Sequence, residues 1–324
     1  QRKLPALAPT TFKSWFFSRD VRNAGGPKVV LWADTFNNYF FPETAQAAVQ
    51  VLEALGFQVE APRRHLCCGR PLYDYGMLPR AKRYLLEVLE TMSPYLQAGV
   101  PVVMLEPSCA SVFKDELTNL FPYREDAHIL RDRAVLFGDF LARPDVIDRV
   151  PKLEREALVQ GHCHHEAIMN SETESALMAH MGLSSHRLAS GCCGMAGAFG
   201  LERDKYEVSV GAGERHVLPA VRRAKPTTFV IANGFSCREQ IAHRSDRFAL
   251  HVAEVVHLAM QTGPRGPESH PFPESGIVAR RLSAQRRSMR RAGATLAGAA
   301  LLMGAAWLLA KRFRTSGNKA RRLS

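Results

Sequence analysis

The sequence predicts an α/β fold of two pseudo-symmetric units, each with a short parallel sheet and flanking helices, plus a C-terminal apolar helix. Two observations carry this. The first is internal repetition. Leu66–Gly69 reads LCCG and Gly191–Gly194 reads GCCG, 125 residues later; Pro107–Cys109 reads PSC and Phe235–Cys237 reads FSC, 128 later. Counting 129 back from Cys163 lands on Asp34. Three landmarks in one order at nearly one offset mark a duplicated unit. The second is alternation of short apolar runs with stretches of helical spacing, the signature of strands joined by crossover helices.

In the first unit, Lys28–Ala33 (KVVLWA) is a continuous apolar run, as in a buried parallel strand. Thr44–Leu55 places Ala45, Ala48, Val49, Val51, Leu52 and Leu55 largely on one side of a helix, and Gly56 stops it. Phe57–Glu60 is a short strand, followed by the CCG loop. Pro79–Leu96 is a long helix with a charged outer face. Val102–Leu105 is a strand ending at the PSC turn, and Cys109–Leu120 is helical. The second unit repeats the order: strand Ala157–Gly161, helix His165–Met181, a glycine-rich loop Gly191–Gly200, and a helix around Glu202–Arg215. The strand Thr227–Ala232 ends at the FSC turn, and a last helix runs His251–Met260.

This divides the chain into a connector (1–26), a first unit (27–150), a second unit (151–260), a basic linker (261–291), a candidate transmembrane helix (292–310) and a basic tail (311–324). Ala292–Ala310 holds 19 residues without a charge. At 1.5 Å per residue these span roughly 28 Å, close to bilayer thickness. The alternative is an Ala/Gly-rich surface helix. Arginines and lysines flank both ends too evenly to set an orientation. The expected location is cytoplasmic, with this segment a candidate attachment to the inner membrane. No apolar run in Gln1–Asn23 resembles a signal peptide. The chain opens on Gln1 rather than Met, as expected of a piece of a longer protein.

Net charge is +12, but 13 basic and 2 acidic residues lie from Gln261 onward, leaving 30 and 29 in the body. A near-neutral body argues against nucleic-acid binding, which needs a basic stripe on the folded face. The seven cysteines are Cys67, Cys68, Cys109, Cys163, Cys192, Cys193 and Cys237. An odd count with two adjacent pairs does not suit a disulfide framework. Thiolates are soft ligands for zinc or iron–sulfur clusters. Cys163, Cys192, Cys193 and Cys237 supply the four that a [4Fe–4S] cluster usually takes. The spacing requires three loops to converge, unlike a zinc ribbon. The first unit supplies only Cys67, Cys68 and Cys109, with Asp34 where a fourth ligand would fall. Asp34 is then either an oxygen ligand of a second site or the mark of a scaffold without one. Gly69, Gly194, Gly197 and Gly200 fit loops that approach a bulky group.

His162, His164 and His165 flank Cys163. A mixed Cys/His zinc site is one alternative, although adjacent histidines on such a turn cannot all reach one ion. Arg238 and Glu239, after Cys237, cap the following helix, tune the charge of the site or form an ordinary solvent salt bridge. A single reactive thiol at Cys192 or Cys193 is a further alternative.

The set ADTFNNYFFPE (Ala33–Glu43), CCGRPLYDYGML (Cys67–Leu78), LEPSCASVFKDEL (Leu105–Leu117), GHCHHEA (Gly161–Ala167), GCCGMAGAFG (Gly191–Gly200) and NGFSCREQI (Asn233–Ile241) resembles the cysteine-rich CCG domain. That domain occurs twice in one of the heterodisulfide reductase polypeptides. It also occurs in the iron–sulfur subunits of glycolate oxidase and anaerobic glycerol-3-phosphate dehydrogenase, and at the C-terminus of fused FAD-linked oxidases, to which the wording is closest. The resemblance covers Pro27–Met260. It implies an iron–sulfur relay in a dehydrogenase of a D-2-hydroxy acid such as lactate, glycolate or 2-hydroxyglutarate. It further implies FAD in a module that precedes this region, that flavin module as partner, and an acceptor such as quinone. Asp34 replaces the cysteine of cluster-binding relatives. The chain shows no GxGxxG flavin fingerprint and no CxxCxxC ferredoxin run. The competing readings are a zinc-stabilised docking module and a thiol–disulfide catalyst.

Overall fold

The computed structural model describes residues 2–268 and 271–320. Two short parallel sheets form the frame. The first contains β1 (Lys28–Leu31), β2 (Gln58–Glu60), β3 (Val102–Met104) and β4 (Ala134–Leu136) in the order β2-β1-β3-β4. The second contains β5 (Glu156–Gln160), β6 (Ser184–Arg187) and β7 (Phe229–Ala232) in the order β6-β5-β7. All pairs are parallel. In both sheets the first strand in sequence lies between the next two, so the duplication read from the cysteine motifs is a duplication of topology.

The strands form where the apolar runs are continuous. Val29, Val30 and Leu31 are fully buried, as are Val102, Val103 and Met104. A strand covered on both faces needs no alternation. Trp32 packs edge-on against Phe113 with ring centroids 4.9 Å apart, joining β1 to the segment after β3. The helix Pro42–Ala54 starts with proline at its first turn and ends before Gly56, whose φ is +89°. It packs against the helix Val252–Thr262 from the second half. Residues Gln1–Gly276 therefore form one compact unit.

Four differences from expectation have local causes. The helix expected over His165–Met181 is two helices, Cys163–Ile168 and Glu172–Met181. Asn170 Oδ1 accepts the Glu172 N–H at 2.9 Å and so restarts the chain. The stretch after Cys109 is helical but widens into a π-helical turn over Val112–Glu116. Two strands were missed: β6 because SSHR is polar and sits at a sheet edge, β4 because only three residues make it.

The other compact unit comprises Ile277–Ser324. Residues 292–310, the candidate transmembrane segment, lie within one helix, Ser275–Ala320, whose first turns take up the end of the expected linker. Among the described residues no helix is long and apolar enough to cross a membrane. About half of the candidate segment 292–310 lies outside the residues whose side chains are described. Residues 321–324 of the basic tail lie outside the described residues.

Candidate metal centre

Every site residue named from the sequence sits just beyond the carboxyl end of a parallel strand, where open α/β sheets build their sites. Asp34 follows β1, Cys67 and Cys68 follow β2, and Cys109 follows β3. Cys163 follows β5, Cys192 and Cys193 follow β6, and Cys237 follows β7. Asp34 and Cys163 each stand three residues past their strand, and Cys109 and Cys237 each stand five past theirs.

The cysteine pairs turn by the same device in both copies. Gly69 and Gly194 adopt φ of +81° and +93°, the left-handed region open to glycine. Each donates its N–H back to the first sulfur of its pair, Gly69 to Cys67 at 3.5 Å and Gly194 to Cys192 at 3.3 Å. A side chain at Gly194 would also run into the Ser209 carbonyl. Gly197 has a φ of +63° but open space around it, so backbone conformation rather than close approach favours glycine there.

In the second unit the structure brings all four cysteines together. The sulfurs of Cys163, Cys192, Cys193 and Cys237 follow one another in that order, each near enough to the next for one to shift the other's ionisation. The hydrogen bond to Cys192, then burial, pushes the Cys163 thiol up. Hydrogen bonds from Cys163 and then Cys193 pull the Cys192 thiol far down. Cys193 rises through its bonds to Cys192 and Cys237 and its burial. Cys193 and Cys237 are buried, Cys163 is half-buried and Cys192 is exposed. The site thus opens to the surface at Cys192. Arg2 reaches the same loop, donating from Nε to Gly200 O at 2.7 Å and from Nη2 to Ser209 Oγ at 2.9 Å.

In the first unit the Cys68 and Cys109 sulfurs lie 3.2 Å apart. The bond from Cys68 lowers Cys109, but burial, Asp34 and Glu106 outweigh it and push that thiol up to about 11. The bond to Cys68, followed by burial, raises Cys67. Asp34 stands close enough to bear on Cys109, yet both its oxygens are engaged. Oδ1 accepts the Asn37 N–H at 2.9 Å and Oδ2 accepts Asn37 Nδ2 at 2.8 Å, capping the helix Thr35–Tyr39. Burial and the neighbouring Glu106 push its carboxyl up to about 6. This donor set suits a thiolate cluster less well than the second: one sulfur fewer, and a carboxyl occupied as a helix cap.

The histidines separate. His162 caps the helix that begins at Cys163, its Nδ1 accepting the His164 N–H at 3.2 Å. The His162 and His164 rings stack with centroids 5.3 Å apart. His165 turns away toward Asp139, 3.9 Å from its Nε2. His162, Cys163 and His164 are, among the described residues, the one set of three or more such side chains whose ligand atoms all lie within 4.8 Å of one another. Two of the three histidines therefore converge, more than the sequence suggested. Burial holds both His162 and His164 down to about 4, so both rings are neutral near pH 7.

Arg238 forms no solvent salt bridge. It is 3% exposed and donates to Thr44 Oγ1 at 2.9 Å and Asn37 Oδ1 at 3.3 Å, both in the first half. Its charge favours the ionised forms of Asp34 and Glu106. Sequence reasoning passed over Glu106, which caps the helix Pro107–Ser111. The available signal was an acidic residue directly before proline at a helix start.

Residues 34–114 match the family model described as the CCG cysteine-rich domain. Over this stretch, a quarter of its length, the chain is similar to that domain. The match takes in Asp34, both cysteines of the first pair and Cys109. Curated relatives extend the likeness over the second copy. One of the anaerobic glycerol-3-phosphate dehydrogenase subunits of Escherichia coli (strain K12) is 26% identical over 268 residues, 80% of this chain and 66% of that protein. Lactate utilization protein A of Bacillus licheniformis is 29% identical over 246 residues, 71% of this chain and 99% of that protein. D-2-hydroxyglutarate dehydrogenase of Pseudomonas putida is 27% identical over 233 residues, 70% of this chain and 22% of that protein. The match therefore spans just under two thirds of the first of these and about a fifth of the third.

Proposed function

We propose that Cys163, Cys192, Cys193 and Cys237 hold one iron–sulfur cluster of the [4Fe–4S] type. The protein then relays electrons from a flavin module toward an acceptor such as a quinone, within a dehydrogenase of a D-2-hydroxy acid. One observation carries the reading. Four thiols from three separate strand ends come close enough to shift one another's ionisation. A single tetrahedral zinc would draw its four sulfurs to about 3.8 Å from each other, given Zn–S bonds near 2.3 Å. Among the described residues no three cysteine sulfurs all lie within 4.8 Å of one another. Four thiols match the ligand number that a [4Fe–4S] group takes.

The four cysteines would bind the group as thiolates. Gly194 would give an N–H to the Cys192 sulfur and orient it. Burial of Cys193 and Cys237 excludes water from the inner side, while exposed Cys192 leaves a short path to a partner. When bound, such a group accepts and releases single electrons. Hydride chemistry and the FAD that performs it belong to the flavin partner. The names of two relatives, one for lactate and one for D-2-hydroxyglutarate, support the substrate class.

The test is reduction of anaerobically purified protein by dithionite, followed by rapid mixing with a water-soluble quinone or with a disulfide. Visible bleaching on reduction and recovery with the quinone support the relay. Recovery with the disulfide alone would replace it with thiol–disulfide catalysis. A protein that neither bleaches nor holds iron, but holds zinc at His162, Cys163 and His164, would make the centre a structural one.

A further inference from the structure

Glu106 sits between the two cysteine sites. It is 2% exposed, and its carboxylate accepts from two helices at once. Oε1 accepts the Ser108 Oγ–H at 2.8 Å and the Ser108 N–H at 3.3 Å, at the start of Pro107–Ser111. Oε2 accepts the Phe235 N–H at 2.8 Å, at the start of Phe235–Arg244. The second helix has Gly234 at its N-cap and no side-chain cap of its own. Its first amides would lack partners. Glu106, 129 residues away, fills that place.

The charge suits the position. Anions are favoured where two helix N-termini converge, and hydrogen bonds to an ionised acceptor are the strong ones. All three contacts are donors to Glu106, so the carboxylate serves as an acceptor throughout. Cys109 and Cys237 are each the third residue of their helix. Both sulfurs therefore hang from first turns held by the same group. His162, next to Cys163, stands 3.9 Å from Oε1 through its Nε2, against Gly234.

We propose that Glu106 is a positioning residue shared by both cysteine sites, a single carboxylate that caps the Cys109 helix and the Cys237 helix and so couples the two sets of sulfurs. Only the redox consequence of this coupling rests on the cluster reading.

The test compares Glu106→Ala, Glu106→Gln and Ser108→Ala with the parent by amide hydrogen exchange, first on metal-free and then on anaerobically purified full-length chain. In Glu106→Ala the amides of Phe235–Cys237 exchange faster by about tenfold or more, the scale of a charge-assisted hydrogen bond. This occurs although no residue of the second half has changed, and the distant helix Leu78–Gln97 keeps its rates. Glu106→Gln, which keeps one acceptor oxygen, gives a smaller rise at the same place and serves if the alanine variant does not fold. Ser108→Ala leaves Phe235–Cys237 unchanged. In the iron-loaded protein Glu106→Gln also shifts the EPR spectrum of the second-unit centre. Faster exchange confined to 107–111 overturns the proposal, as does an equal rise in Leu78–Gln97, which would mark general destabilisation. Absence of iron would defeat the cluster reading, while the metal-free exchange result still decides the shared cap.

Discussion

Arg238 Nη1 lies 2.9 Å from Thr44 Oγ1, and the two residues belong to opposite halves of the compact unit. The same guanidinium lies over the Phe41 ring at 4.5 Å and 3.8 Å from Glu254. Removing a buried charge while its partners stay is costly, because the partners keep their desolvation penalty. Arg238→Met should lower stability by roughly 3–5 kcal/mol, whereas Thr44→Val should cost about 1 kcal/mol. Urea unfolding of both variants checks this, and a smaller loss for Arg238→Met than for Thr44→Val would contradict it.

Cys192 is exposed, and its thiol is pulled down by hydrogen bonds from Cys163 and Cys193. Cys67 and Cys163 are shifted the opposite way. The thiolate is the nucleophile. In the metal-free protein at neutral pH, iodoacetamide should modify Cys192 before any other cysteine, and metal loading should protect it. Peptide mass mapping of a time course reads the order. Modification of Cys163 or Cys67 ahead of Cys192 would show that these thiols are arranged otherwise.

Gly234 and Gly211 form a matched pair of substitutions. A Cβ on Gly234 would collide with the His162 ring, while one on Gly211 meets nothing within 4 Å. Gly211→Ala, inside the helix Tyr206–Glu214, should stabilise by about 0.5–1 kcal/mol. Gly234→Ala should displace His162 from its cap at the Cys163 helix and destabilise by about 1–3 kcal/mol, as overpacking does. Thermal unfolding of the metal-free proteins measures both. Equal effects of the two would remove the packing argument.

His251 provides a pH dependence. Burial, aided by the Arg238 charge, holds its imidazole down to about 3. Its Nε2 donates to Leu105 O at 3.0 Å, and its Nδ1 accepts the Ala253 N–H at 3.0 Å, which fixes the neutral ring. The unfolded chain takes a proton on this group below pH about 6.5, and the native chain does not. The stability it contributes is complete above that pH and falls as the pH drops toward 3. Between pH 7.5 and 5.5 the loss is about 1.4 kcal/mol. His251→Gln should be less stable at pH 7.5 but lose about 1.4 kcal/mol less over that range. Urea midpoints at the two pH values decide it, and equal losses in parent and variant would contradict it.

The frame was legible because its signals are local or repeated. The buried strands announce themselves as apolar runs, and the duplicated CCG and PSC/FSC motifs place both sites at strand ends. What the sequence did not show depends on contacts across the duplication. The role of Glu106 toward Phe235, and that of Arg238 toward Thr44 and Asn37, join residues 129, 194 and 201 apart, with no spacing rule to mark them. Asp34 was left open between ligand and scaffold, and its engagement by Asn37 favours the scaffold. Strand β6 escaped because its polar SSHR residues occupy an edge. The apolar segment 292–310 reads as a candidate membrane span by length and lack of charge, and about half of it lies outside the residues whose side chains are described.

The most direct test of the central claim is iron, sulfide and zinc analysis of anaerobically purified protein, with EPR before and after dithionite, repeated for Cys193→Ser and Cys109→Ser. The account predicts about four irons and four sulfides per chain, lost in Cys193→Ser and retained in Cys109→Ser. Zinc without iron, or iron that survives Cys193→Ser and disappears in Cys109→Ser, would contradict it.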